Sequence, residues 1–296
     1  MKRLLAFVRL SRPLFLYGGF AGVALGAAVA AWSGRRLDAV TYLWAQALVT
    51  AFHLMVHYAN DYFDRECDAR SKRTAWSGGS GIIVSGELQP HVALVAALVC
   101  AALGLAACAR FALAGNVPVA VVGIAILVFA WCYSAPPVRL CARGLGELDT
   151  VLVVAMLVPF VGYAAFTGRI DGPILTAVIA PAGAMFAMML AVELPDADAD
   201  YLAGKRNLIV MWWPQLAWRF IWIGAGFAVA TAVTSAIKLH AGTGALALVP
   251  AAVCAFALIR RATGDPRPAS IAFWGIALYA TTVTGLAVMY ALLAGR

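Results

Sequence analysis

His57-Tyr-Ala-Asn60-Asp61-Tyr-Phe-Asp64-Arg-Glu-Cys-Asp68-Ala-Arg70-Ser-Lys72-Arg73 closes a long apolar segment, yet it carries four acidic and four basic residues. If the preceding helix runs on through it, His57, Asn60 or Asp61, Asp64 and Asp68 recur every three or four residues and share one face. Carboxylates clustered on one face repel one another unless positive charge sits among them. A hard divalent cation held through oxygen, typically Mg²⁺ shared with a phosphate, meets that need. A solvated run of charges beside a membrane is the alternative that this stretch alone leaves open.

The rest of the chain says which setting the stretch occupies. Of 296 residues, 64% are hydrophobic and 12% charged, and the mean hydropathy is +0.88. Soluble domains carry about 25% charged residues, so the composition is that of an integral membrane protein. Apolar runs of helical rather than strand length recur throughout, which excludes a soluble domain on one anchor, a cleaved leader as the explanation, and an outer-membrane barrel. The six cysteines form no Cys-x-x-Cys pair and read as small core residues. The net charge of +8 lies in the connections, so it signals topology and contact with anionic lipid or phosphate, with no nucleic-acid partner.

Residues 1–13 read as a short amphipathic segment at the membrane surface, followed by spans at 14–32, 40–60, 91–110, 117–134, 148–167, 173–192, 216–236, 244–260 and 270–293. With the N-terminus in the cytoplasm, sixteen Lys and Arg residues fall on the cytoplasmic side and six on the other. Both acidic stretches are then cytoplasmic. The expected architecture is all-α and polytopic, a single domain over 1–296 with about nine transmembrane helices around a central cavity. Two similar halves, about 1–140 and 141–296, are an option.

The second acidic stretch is Glu193-Leu-Pro195-Asp196-Ala-Asp198-Ala-Asp200, ending in Lys205-Arg206. Asp196 and Asp200 are four apart, as Asp64 and Asp68 are, and a Lys-Arg pair trails each stretch. The two stretches hold eight of the 14 acidic residues. Ionisable groups are costly at membrane depth, so such clusters are read as functional first. Pro195 interrupts the helical ladder and would let a loop carry the carboxylates into a cavity. Between the stretches, Pro136-Pro137 ends a span. Arg139 and Arg143 beyond it offer guanidinium forks to phosphate oxygens. Two carboxylate clusters plus several cations suit a Mg²⁺-bridged diphosphate beside apolar volume. The glycine-rich turn Ser77–Gly81 presents backbone N–H groups to an anion or covers a cavity.

Asn60-Asp61-x-x-Asp64-x-x-x-Asp68 resembles the first aspartate-rich motif of the UbiA superfamily of intramembrane prenyltransferases, and Asp196-x-x-x-Asp200 with Gly204-Lys205 resembles the second. Tyr133-Ser-Ala-Pro-Pro-Val-Arg139 through Arg143-Gly-Leu-Gly-Glu147 is similar to the 1,4-dihydroxy-2-naphthoate branch, which makes menaquinone precursors. One departure is Glu193-Leu-Pro195, where that branch commonly carries Asn. The resemblance implies a Mg²⁺-dependent transfer of a polyprenyl group from its diphosphate to an aromatic acceptor in quinone biosynthesis, at a bacterial inner membrane. It implies Asn60, Asp61, Asp64, Asp68, Asp196 and Asp200 around the metal. Lys72, Arg73, Arg139, Arg143, Lys205 and Arg206 would serve the diphosphate, Tyr133 the allylic cation, and Glu193 the acceptor or its proton. The same fold acting on another acceptor or as a cyclase, and a cation-coupled transporter, are the other readings.

Several residues carry a plainer reading. His53 and His57 sit one turn apart, a spacing that could ligate haem or a metal. With no cysteine or third histidine nearby, they suit hydrogen-bonded core positions, with His57 able to orient Asn60, Asp61 or a substrate oxygen. Trp212 and Trp213 fit an interfacial aromatic belt. Met185, Met188 and Met189 suit packing or a tail cavity. Glu147 and Asp149 begin a span, where acidic groups suit a helix N-terminus, with a catalytic role as the other reading.

Overall fold

The structure is a computed structural model and describes residues 2–70, 79–212, 215–264 and 268–296. Among these the chain is helical, with no strand. In order run α1 (Lys2–Leu10), α2 (Tyr17–Trp32), α3 (Ala39–Phe63), α4 (Arg65–Asp68), α5 (Pro90–Leu113), α6 (Val117–Ser134), α7 (Gly146–Thr150) and α8 (Val158–Thr167). They are followed by α9 (Gly172–Ala177), α10 (Ile179–Glu193), α11 (Ala197–Leu202), α12 (Leu208–Trp212), α13 (Gln215–Lys238), α14 (Val249–Gly264) and α15 (Pro268–Ala294). Nine helical stretches among the described residues are long and apolar enough to cross a membrane, as the sequence predicts.

Local chemistry sets the boundaries. Asp38 caps α3 by accepting the Thr41 N–H at 2.8 Å. Asn116 starts α6 and donates to the Ala164 carbonyl at 2.8 Å, tying that turn to α8. Prolines place the breaks. Pro181 has no N–H for the Ala177 carbonyl, and the helix is interrupted at Val178 between α9 and α10. Between α7 and α8 a π segment, Val151–Leu157, runs into Pro159. Pro159 cannot donate to the Val154 carbonyl, and Tyr279 of α15 reaches that oxygen at 3.4 Å.

A bilayer supplies little hydrophobic drive between helices, so close approach of small residues must hold them together. Gly18, Gly22 and Gly26 form one stripe of α2, which packs on α8 and α15. At Gly26 an added Cβ would strike the Pro159 carbonyl and lie 2.6 Å from the Tyr163 nitrogen. Gly162 meets the Val23 carbonyl in the same way from the other side. The first spanning helix thus packs on the last, α3 packs on α5 and α6, and α10 on α13 and α15. Leucines and valines such as Leu98, Leu103 and Val253 face outward, where lipid would meet them.

Two expectations change in detail. Pro195 does not open a loop: one lost backbone bond only tightens Leu194–Asp196 into a 3₁₀ turn, and α11 continues from it. The surface segment α1 is tied to α3. Phe7 lies 5.5 Å from the Tyr58 ring, the Ser11 and Tyr58 hydroxyls are 2.7 Å apart, and His57 Nδ1 meets the Ser11 carbonyl at 2.9 Å. His57 therefore positions the N-terminal segment rather than Asn60 or Asp61.

Candidate active site

The ends of α3 and α10 bring the two acidic stretches together. Asn60, Asp64, Asp68, Glu193, Asp196 and Asp200 line one polar cavity of about 150 Å³, with Tyr133 and Lys205. Asp64 comes from the first stretch and Asp200 from the second, and Lys205 sits between them. Its Nζ lies 3.3 Å from Asp200 Oδ1 and 3.9 Å from Asp64 Oδ2. Arg139 approaches the other Asp64 oxygen at 3.6 Å. Ser134, the last residue of α6, donates to Asn60 Oδ1 at 2.7 Å and lies 3.2 Å from Asp64. Asn207 donates to Asp200 at 2.7 Å, and the Cys67 thiol does so at 3.3 Å.

The segment carrying Lys205 is pinned from below. The Arg206 N–H donates to the Ala142 carbonyl at 3.1 Å, and the Leu208 N–H donates to buried Glu147. Glu147 therefore holds the start of α12 rather than serving its own helix N-terminus. Burial opposes the Lys205 ammonium, but the charges of Asp64 and then Asp200 outweigh it and keep the amine protonated well above its ordinary range. Burial, with the charge of Asp64 second, pushes the Asp68 carboxyl up to about 7. Burial likewise pushes the Cys67 and Cys141 thiols up to about 12, so neither offers a thiolate.

This donor set is one amide oxygen and several carboxylates, with no imidazole or thiolate among them. It fits a hard divalent cation. Among the described residues no three His, Cys, Asp or Glu side chains form a ready metal cage. Carboxylates spread around a cavity, with Asp68 pushed up by burial and by the charge of Asp64, suit a cation that shares its shell with ligand phosphate.

The other residues singled out in the sequence fall elsewhere. Asp61 is 2% exposed and turns from the cavity, ion-paired to Arg12 and bound by the hydroxyl and backbone N–H of Ser80. A helical face cannot hold Asn60 and Asp61 in one direction, and the neighbour across the fold settled which points inward. Arg143 donates to the Pro137 carbonyl at 2.7 Å, and the Arg206 side chain is exposed; neither lines the cavity. Lys72, Arg73 and Trp213 lie outside the described residues, and Trp212 stacks on Phe220 at 4.5 Å. Of the glycine-rich turn, Gly79 abuts Asp68 and lines the cavity, so its described part covers carboxylates.

Sequence reading missed Arg12, which touches both Asp61 and the cavity. It stands 49 residues from Asp61 and looks like any other basic residue of the surface segment. Its one signature is conformational: Arg12 and Arg139 both take φ near 46°, each ahead of a 3₁₀ turn, and each reaches a first-stretch aspartate. Left-handed backbone at a non-glycine residue costs about 1–3 kcal/mol and is found where a side chain must be aimed. Arg12→Ala is expected to destabilise the protein by about 3–5 kcal/mol, because it strands the Asp61 carboxylate in the interior. Unfolding in detergent measures this, and Asp61→Asn added to Arg12→Ala should recover much of the loss.

A second, apolar chamber of about 280 Å³ continues from the polar cavity. Arg12, Asn60, Tyr133, Met189 and Val192 line both, so they mark the junction. Met185 and Met188, His53 and His57, and Val153 and Val154 of the π segment line the chamber beyond it.

A bundle of helices apolar enough to span a membrane, joining a carboxylate-lined polar cavity to an apolar chamber, is the arrangement of an intramembrane enzyme. The sequence matches the UbiA prenyltransferase family over residues 20–281, and the chain belongs to that family. A UbiA homolog from Aeropyrum pernix K1 has the same fold, with a TM-score of 0.73 at 18% identity over 90% of this chain and 96% of that one. A UbiA homolog from Archaeoglobus fulgidus bound to DMAPP and Mg²⁺ gives 0.65 at 17% identity, over 96% and 98%. A digeranylgeranylglyceryl phosphate synthase gives 0.68 at 16% identity, over 99% of each chain. None of the curated proteins matches the sequence significantly.

Proposed function

We propose that this chain transfers a polyprenyl group from its allylic diphosphate to an aromatic acceptor, 1,4-dihydroxy-2-naphthoate, in menaquinone biosynthesis. The observation that carries the reading is the junction of the two cavities: carboxylates and Lys205 on one side, hydrocarbon-sized apolar space on the other. The match to the family and the fold shared with a homolog bound to DMAPP and Mg²⁺ support it. The run from Tyr133 to Glu147 supports the naphthoate acceptor.

In this reading Asn60, Asp64, Asp68, Asp196 and Asp200 would hold Mg²⁺, which supplies charge neutralisation to the departing diphosphate. Lys205 stays protonated and Arg139 approaches Asp64, so both add positive charge where the C–O bond of the allylic diphosphate breaks. Tyr133, at the junction, presents its ring to the allylic cation. The acceptor ring carbon closes the new C–C bond, and the ring loses its carboxylate as CO₂. With an acceptor lacking that carboxylate it loses a proton, to Glu193. Excess positive charge in the connections supports an N-terminus and site on the cytoplasmic face of a bacterial inner membrane. Residues 1–296 act as one domain.

Purified protein in detergent, given polyprenyl diphosphate, Mg²⁺ and 1,4-dihydroxy-2-naphthoate, should release diphosphate and form prenylated naphthoate. EDTA should abolish the reaction, and Asp64→Ala and Asp196→Ala should each lower it at least about a hundredfold. Turnover with 4-hydroxybenzoate alone would replace the acceptor, and no metal-dependent diphosphate binding would end the prenyl-transfer reading.

A further inference from the structure

Asp149 belongs to neither acidic stretch, and the reaction above leaves it without a task. It sits near the end of α7, two residues before the wall turns into the π segment, and is 7% exposed. Its side chain lines the apolar chamber, with Tyr133, His53 and Met189, and not the polar cavity. The Oδ1 atom is enclosed and meets no hydrogen-bond donor among the described residues. Thr150, beside it, directs its hydroxyl to the Gly146 carbonyl at 3.0 Å and so does not serve.

An enclosed carboxyl oxygen without a donor is destabilising, and none of the polar side chains that share the chamber wall, His53, His57 and Tyr133 among them, bonds this one. The missing donor must then arrive with a ligand. A prenyl tail has no O–H or N–H to offer. The diphosphate is an acceptor-rich anion that belongs with Lys205. A hydroxylated aromatic ring is the component that both fits apolar walls and carries donors. We infer that Asp149 accepts a hydrogen bond from a ring hydroxyl of the acceptor, and so sets which ring carbon faces the allylic carbon at the junction by Tyr133. This inference rests on the prenyl-transfer reading of the site.

The test compares wild type with Asp149→Leu and Asp149→Asn in detergent, with Mg²⁺, polyprenyl diphosphate, and 1,4-dihydroxy-2-naphthoate or 4-hydroxybenzoate in separate series. Asp149→Leu should raise the acceptor KM about tenfold or more and leave the diphosphate KM unchanged. Asp149→Asn, which keeps an acceptor oxygen, should raise it by about threefold. The leucine variant should also melt at a higher temperature than wild type, because an unpartnered buried carboxyl has gone; a merely structural aspartate would lower it. If the leucine variant does not fold, the selective KM rise in Asp149→Asn decides. An unchanged acceptor KM, or acceptor and diphosphate KM rising together, overturns this inference alone. A wild type that prenylates neither aromatic overturns the prenyl-transfer reading and this inference with it.

Discussion

Lys205→Ala should lower prenyl transfer by about 10²–10³-fold, the range found when one preorganised charge-stabilising donor is removed from an active site. The reason lies in its position. Its ammonium lies within 4 Å of a carboxylate from each acidic stretch, Asp64 and Asp200, and its side chain is only 13% exposed. The substitution removes the positive charge that Asp64 and Asp200 share and leaves two enclosed carboxylates facing each other. Without metal, the variant should lose about 3–5 kcal/mol of stability, as when one partner is taken from a buried ion group. Mg²⁺ should restore more stability to the variant than to wild type, because a divalent cation answers the same repulsion. Melting curves with Mg²⁺ and with EDTA, beside single-turnover rates, measure both effects. Wild-type rates in Lys205→Ala would remove the residue from the mechanism. Lys205→Arg should recover the stability better than the rate, since a planar guanidinium cannot reproduce the point charge.

Gly26→Val is expected to cause the largest loss of stability of any change away from the cavities. The clash is with backbone: the Pro159 carbonyl, the Tyr163 nitrogen at 2.6 Å and the Gly162 carbonyl carbon at 2.9 Å. None of these can rotate away, so α2 and α8 must separate. Overpacking costs about 1–3 kcal/mol where neighbours can yield, and this site belongs at or above the top of that range. Activity should fall as well, because Gly18 of α2 and Val158 of α8 both line the apolar chamber. Gly226→Ala is the matched control. It lies inside α13 with nothing within 4 Å of an added Cβ, and should gain about 0.5–1 kcal/mol from helix propensity. A Gly26→Val protein that melts with wild type would refute the close-packed interface.

The spans and both acidic stretches were legible in the sequence because each depends on local composition. A backbone inside lipid must satisfy its own hydrogen bonds, so length and apolarity alone mark a helix. Charge at membrane depth is costly enough that eight of 14 acidic residues in two short stretches stand out without any neighbour in view. Proline positions marked the breaks, although how far each break opens depended on the surrounding packing. At Pro195 the chain tightened into a 3₁₀ turn and remained helical.

Tertiary structure decided which of those residues work together. Periodicity put Asn60 or Asp61 on the shared face and could not choose; Arg12 and Ser80, brought in from two other segments, took Asp61 and left Asn60 to the cavity. Arg139 and Arg143 look equivalent in the chain, yet only Arg139 approaches a carboxylate of the cavity, while Arg143 returns to its own turn at Pro137. The glycine stripe of α2 is visible in the sequence, but its partner on α8 is not. Asp149, read as a helix-start residue, became a carboxyl without a donor only once an apolar wall closed around it. Spacing along one helix sets an angle about that helix's own axis. The register of one helix against another is set by which small residues let two backbones touch, and only that register puts side chains far apart in the chain at bonding distance.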